Sequence, residues 1–224
     1  VHNNPLNLVD PTGMFGEYFD GNGNHLGSDG KNDGKVYLAN KRKSGKIKDL
    51  LKEGGADNIK KAKANSTELP GVKVLEESLD VLDRTDANGG YREESSLVMD
   101  DGSIVQGKTG PMPVIENGRM KVYTNPPDIP AGYSASNVTA NIHSHPNKDF
   151  PDPDGGSYPS SAYGLSNLDI DGFKNYQTNI VTGPLGQSAQ SSKLGIAVYN
   201  KNATLRVTIS RSAASKIVDK LKNK

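Results

Sequence analysis

Apolar positions fall at two densities along this chain. Between Tyr18 and Asn40 short apolar pieces are separated by Asp20-Gly21-Asn22-Gly23-Asn24 and Ser28-Asp29-Gly30-Lys31-Asn32-Asp33-Gly34. Such runs of turn formers predict a hairpin-like connector. Lys46 to Ala64 has a weak amphipathic period, is rich in lysine and is interrupted by Gly54-Gly55. It predicts one or two short basic helices, closed off by Leu69-Pro70-Gly71.

From about Gly89 the alternation sharpens. Glu93 to Met99 and Ser103 to Gln106 flank Asp101-Gly102, and Pro113 to Ile115 and Arg119 to Thr124 flank Asn117-Gly118, so both pairs predict hairpins. Asn137 to His143 and Asn179 to Thr182 predict strands, and Leu194 to Tyr199 with Thr204 to Ile209 a third hairpin about Lys201-Asn202. Ser166 to Tyr176 predicts a helix. Ser212 to Lys222 predicts another, with Ala213, Ile217, Val218 and Leu221 on one side. The expected fold is therefore α+β, a mixed sheet flanked by helices, behind a loop-rich N-terminal extension. The expected divisions are a leader over 1–14, a polar connector over 15–88 and a folded domain over 89–224.

The chemistry concentrates in Asn141-Ile142-His143-Ser144-His145-Pro146 and in Leu165-Ser166-Asn167-Leu168-Asp169-Ile170. In a strand alternate residues share a face, so Val138, Ala140 and Ile142 point one way and His143 and His145 the other. Both imidazoles can grip one ion, and Asp169, in the first turn of the predicted helix, can turn its carboxylate towards them. Two imidazoles and one carboxylate leave a fourth position open, the ligand count of catalytic rather than structural zinc. His2 and His25 stand in polar stretches with no partner in sequence and receive no role.

Composition narrows the field. The 224 residues are 33% hydrophobic with 25 glycines and 13 prolines, which fits a compact part beside a looser one. With 27 Lys+Arg against 26 Asp+Glu the formal charge is +1, so no global field recruits nucleic acid or a membrane. The Lys41 to Lys63 run lacks aromatics for base stacking and reads as a solvated face. There are no cysteines, so a metal must be held by nitrogen and oxygen. No apolar stretch approaches the roughly 18 residues of a membrane span. A calcium loop starting at Asp20 fails, because its sixth position is His25 and its twelfth Lys31. The chain opens on Val1-His2-Asn3-Asn4 without Met or signal peptide, as the end of a longer polypeptide would.

Two resemblances extend this reading. Asn4-Pro5-Leu6 and Asp10-Pro11-Thr12-Gly13 resemble the tail of the repeat-rich shell of Rhs proteins, which is followed by a variable C-terminal domain, commonly a toxin. His143-Ser144-His145-Pro146 with Ser166-Asn167-Leu168-Asp169 resembles the JAB/MPN (JAMM) metalloproteases over about residues 89–210. That family's pattern is an upstream Glu on a strand, His-Ser/Thr-His-Pro, then Ser-x-x-Asp. Together they look like the JAB-like toxin domains at the ends of polymorphic toxins. The resemblance implies the cytidine-deaminase-like JAB/MPN fold and a zinc peptidase or isopeptidase. Zn²⁺ would be held by His143, His145 and Asp169, with Glu93 as general base and Ser166 stabilising the oxyanion. It also implies a protein or peptide substrate, a cognate immunity protein, the parent Rhs shell as a neighbour, and export to act inside a target cell.

One departure goes with it. The family places its aspartate about eleven residues after the second histidine, where this chain has Gly156, so Asn147 to Gly164 reads as an insertion. Asp152, Asp154 and Asp171 compete with Asp169, which alone has a serine three residues before it. Glu94 competes with Glu93, which is preferred because Ser96 then supplies the small residue three positions on. Two other functions compete: a metal-dependent nuclease toxin, and a metal-free JAB/MPN-like module used only for binding.

Overall fold

The computed structural model describes residues 16–158, 160–187 and 192–223, so the Rhs-like motif between Asn4 and Met14 lies outside the described residues. The chain packs as two compact units, Val1–Val72 with Ser215–Lys224, and Lys73–Ala214. It is mixed α+β, with five α-helices among the described residues.

The first unit holds β1 (Glu17–Phe19), β2 (His25–Ser28), β3 (Val36–Ala39), α1 (Ser44–Glu53), α2 (Ala56–Ala64) and β4 (Ser66–Leu69). Its four strands lie in the order β2-β1-β3-β4, with β1 and β3 parallel and the outer pairs antiparallel. The turn signals behave as their chemistry dictates: the Asp20 carboxylate accepts the backbone N–H groups of Asn22 and Asn24 and closes the β1–β2 hairpin. Gly54 and Gly55 separate α1 from α2 at φ 67° and 85°, a left-handed pair that side chains disfavour. Tyr18, Tyr37, Ala39, Ile47 and Ala62 are buried together, with Leu26, Leu50 and Leu51 packed on them. Polar as its sequence is, this stretch closes on a core of its own.

The second unit starts with α3 (Val72–Ala87), a sixteen-residue helix that the sequence reading left unassigned. Its signal was present, since the buried Val74, Leu75, Ser78, Val81, Leu82 and Thr85 recur at helical spacing. There follow β5 (Ser95–Met99), β6 (Ile104–Gln106), β7 (Val114–Glu116), β8 (Arg119–Lys121), β9 (Val138–Ser144), β10 (Phe150–Pro151) and β11 (Ser157–Tyr158). Then come α4 (Asn167–Phe173), β12 (Thr178–Pro184), β13 (Leu194–Asn200), β14 (Leu205–Ser210) and α5 (Arg211–Lys222), which from Ser215 counts with the first unit. The three expected hairpins form within a residue or two of their expected ends, except that β8 stops at Lys121. Asn117 and Gly118 take the left-handed backbone (φ 52° and 69°) that a two-residue turn asks of them. The helix expected over Ser166 to Tyr176 is shorter, because the chain leaves it at Phe173 in tight turns from Gly172 and Phe173.

Six strands form one mixed sheet in the order β14-β13-β12-β9-β5-β6, with β9 parallel to β12 and antiparallel to β5. Its two faces have different covers. Thr85 and Arg84 of α3 bond to Ser144 and Ser96 on one face. On the other, Phe173 of α4 is buried with Ala162, Val181, Ala197 and Tyr199. Among the described residues no helix is long and apolar enough to cross a membrane.

Candidate metal centre

The centre lies where β9 ends. Ser95 pairs with His143 and Ser96 with Ile142, so alternation places Ile142 and Ser144 on the α3 face and His143 on the α4 face. His145, just past the strand, stays in register because its N–H donates to the Thr182 carbonyl of β12 at 2.8 Å. The two rings stand 5.3 Å apart between centroids, and both side chains are nearly buried. His143 also packs against the Phe173 ring at 6.0 Å.

Asp169 reaches both rings from the start of α4. Ser166 is the N-cap: its Oγ accepts the Asp169 N–H at 3.1 Å, and its own N–H donates to Asp169 Oδ2 at 2.6 Å. This reciprocal capping box ties the carboxylate to the helix entrance. Asp169 Oδ1 then lies 3.1 Å from His143 Nε2, and Oδ2 lies 3.6 Å from His145 Nε2. One ligand atom from each of His143, His145 and Asp169 lies within 4.8 Å of the others. Ligands of one tetrahedral zinc at about 2.0–2.2 Å stand roughly 3.3–3.5 Å apart. His143 Nε2 is buried without a hydrogen-bond partner among the described residues, despite the carboxylate beside it. An orphaned ring nitrogen facing a carboxylate and a second imidazole is what a cation site requires, so these three residues fit a metal ion.

The long segment after His145 is part of the centre. His145 Nδ1 lies 2.7 Å from the Ser161 carbonyl, so that nitrogen donates there and Nε2 is the one turned to the triad. The segment is pinned on its return: the Ala162 N–H donates to the Pro184 carbonyl at 2.9 Å, and the Tyr199 hydroxyl donates to the Ala162 carbonyl at 2.7 Å. Sequence reasoning missed Ser161, and no side-chain signal could have found it, because its contribution is a backbone oxygen.

The two glutamates part company. Glu93 has the parity of Ser95 and so faces the His143 side, where it is 7% exposed and lines the cleft over the triad. Glu94 has the parity of Ser96 and Ser144 and faces α3. There Arg84 donates to its Oε2 at 2.9 Å and Asn88 to its Oε1 at 2.8 Å. The competing aspartates lie elsewhere. Asp152 accepts the Asp154 N–H in the β10–β11 turn, and Asp171 pairs with Lys174 in solvent.

The charges in this pocket are strongly coupled. Burial alone would pull the His145 imidazole down, but Asp169 and Glu93 outweigh it and carry the ring up to about 9. Burial would raise Asp169, yet the two imidazoles hold it well below the usual carboxylate range. Burial pushes Glu93 up, with the imidazoles opposing. Over these groups opens a cleft of about 780 Å³. Ser166 lines it as well, and its hydroxyl proton is not engaged by any described residue. Comparison of the chain with protein-family models, with curated proteins and with solved structures returned no match.

Proposed function

We propose that this protein is a zinc-dependent amide hydrolase, a peptidase or isopeptidase of the JAMM type, serving as the C-terminal toxin domain of an Rhs-family effector. The observation that carries the reading is the convergence of His143, His145 and Asp169 beside the buried Glu93. A zinc ion held by those three residues would act as a Lewis acid, making water a nucleophile near neutral pH and polarising the scissile carbonyl. Glu93 accepts the water's proton, which its burial-raised basicity favours, and hands that proton to the leaving amine. The Ser166 hydroxyl donates to the oxygen of the attacked carbonyl as negative charge develops there. Loss of such a donor typically costs about 2.7–4 kcal/mol. Asp169 stays ionised throughout.

The Rhs-like leader supports the effector role, with an immunity protein as the partner of the intact toxin and the target cell as the place of action. A nuclease would need cations to hold phosphates, and the described residues lining the cleft include no lysine or arginine.

Elemental analysis of the purified chain beside His143→Ala and Asp169→Ala tests the reading. Near one zinc per chain, lost in both folded variants, is the expected result, followed by zinc-dependent cleavage of an amide substrate. A wild-type chain that takes up no zinc at neutral pH overturns it. The pH dependence has a definite sign. His145 holds a proton up to about 9 in the protein alone, and zinc must displace it, so affinity falls as pH is lowered from there and binding at pH 7 releases a proton. Calorimetry in buffers of different ionisation enthalpy counts that proton.

A further inference from the structure

We infer that the cleft selects peptides with an uncharged, apolar side chain beside the scissile amide, and that Met120, Val122, Tyr163 and Leu168 make this choice. The inference deepens the amide-hydrolase reading and rests on it for the nature of the bond. Among the described residues, Glu93, His145 and Asp169, which form the floor, are the acidic and basic side chains that line the cleft.

One wall is the β7–β8 hairpin and the residues after it. Arg119 and Lys121 are exposed, while Met120 and Val122, at alternate positions, line the cleft half-buried. Tyr123 and Thr124 follow them onto the same cleft, beyond the end of β8 at Lys121. The wall is built onto the site's own backbone. The Gly110 N–H donates to the Glu93 carbonyl at 2.8 Å, and a Cβ on Gly110 would stand 2.3 Å from the Tyr123 carbonyl and 3.1 Å from that of Glu93. Only glycine lets the wall and the base approach so closely. The hairpin tip is tied as well, by the Tyr158 hydroxyl donating to the Gly118 carbonyl at 3.4 Å.

The cleft is also lined by Tyr163, 43% exposed, and Leu168, 67% exposed. Leu168 leans into solvent one residue before the ligand Asp169, where a helix surface would ordinarily be polar. Apolar groups lining a cleft beside a polar floor gain when an apolar side chain excludes water from them, and they offer a charge no partner.

The test uses acetylated, amidated glycine pentapeptides with a central Leu, Phe, Lys or Asp, titrated by NMR into the metal-free wild-type chain, Leu168→Ala and Val122→Lys. Lys and Asp carry opposite signs, so residual charge in the floor favours one and penalises the other, and apolar selection requires Leu and Phe to beat both. Leu and Phe should bind at least about tenfold tighter than either charged peptide, in the range hydrophobic pockets reach. Leu168→Ala should shrink that preference, and Val122→Lys should move it towards Asp. Equal binding, no binding, or tighter binding of a charged peptide overturns the inference. The same peptides offered to the zinc-loaded chain, followed by mass spectrometry, separate the two claims. Cleavage without apolar preference leaves the hydrolase reading standing alone, and apolar binding without cleavage of any amide leaves the selective cleft and sinks the hydrolase.

Discussion

Glu93 and Glu94 are neighbours in sequence and nearly equally buried, 7% and 4% exposed, yet they lie on opposite faces of one sheet and meet opposite surroundings. On the α3 face Arg84 links the buried carboxylates. Arg84 reaches Glu94 at 2.9 Å, Ser96 at 2.7 Å, Asp80 at 2.8 Å and Glu77 at 3.3 Å. On the α4 face Glu93, His143, His145 and Asp169 answer chiefly to one another, and His143 Nε2 has no hydrogen bond among the described residues. Removing a partner from a buried, fully bonded charge is costly, whereas perturbed titratable groups gathered under a cleft mark a candidate site. Acidic side chains one residue apart are therefore built into a hydrogen-bonded network on one face and into a candidate metal site on the other.

Exchanging the carboxylates singly is the sharpest way to break this comparison. Glu93→Gln should keep zinc and fold while lowering amide hydrolysis by about 10²–10⁴-fold, the usual worth of a positioned general base. Glu94→Gln should do the reverse, costing about 1–3 kcal/mol of stability through a weakened network while leaving the rate per folded, zinc-loaded chain close to wild type. Rates at measured zinc content, with urea denaturation alongside, read both. A rate loss as large in Glu94→Gln as in Glu93→Gln would erase the division between the faces.

Arg84→Met comes next. It strands Glu77 and Glu94, of which Glu77 is already pushed up by burial. Removing one partner from a buried set of this kind costs about 3–5 kcal/mol. The loss should appear in the denaturation midpoint, with zinc stoichiometry retained in the fraction that stays folded. Zinc lost together with stability would mean that the α3 face also holds the ligands in place.

Much of this division was legible in the sequence, for reasons that also mark where reading stopped. A strand's period of two is local, so the parity that separates Glu93 from Glu94 and His143 from Ser144 follows from spacing once β5 and β9 are recognised. The Ser166 to Asp169 spacing is likewise local, since a capping box needs only one helical turn. What could not be read is contact between distant segments. Thr85 meets Ser144 across 59 positions, and the Ser161 carbonyl meets His145 across 16. The segment from Asn147 to Gly164 reads as an insertion, yet its return leg orients His145 through the Ser161 carbonyl. The helix α3 is a different case, because its buried positions recur at helical spacing in plain view between the basic helices and the metal strand.

Ser144 is the hinge between the faces and gives the smallest expected effect. It sits between the two histidines but points to α3. Its hydroxyl accepts the Glu94 N–H at 2.8 Å and shares a 2.6 Å hydrogen bond with Thr85, while its own N–H donates to the Glu94 carbonyl at 2.9 Å. The strand that presents His143 and His145 is thereby clamped to the strand that presents Glu93. Ser144→Ala removes the side-chain half of the clamp and strands the Glu94 N–H, at a cost of about 1–3 kcal/mol. If positioning of the base against the ligands is what the clamp provides, zinc affinity should change little while the hydrolytic rate at saturating zinc falls, with Ser144→Thr restoring part of it. A variant that loses stability but hydrolyses at the wild-type rate would confine Ser144 to the structural face, and the boundary between the two roles would then run through the histidine motif itself.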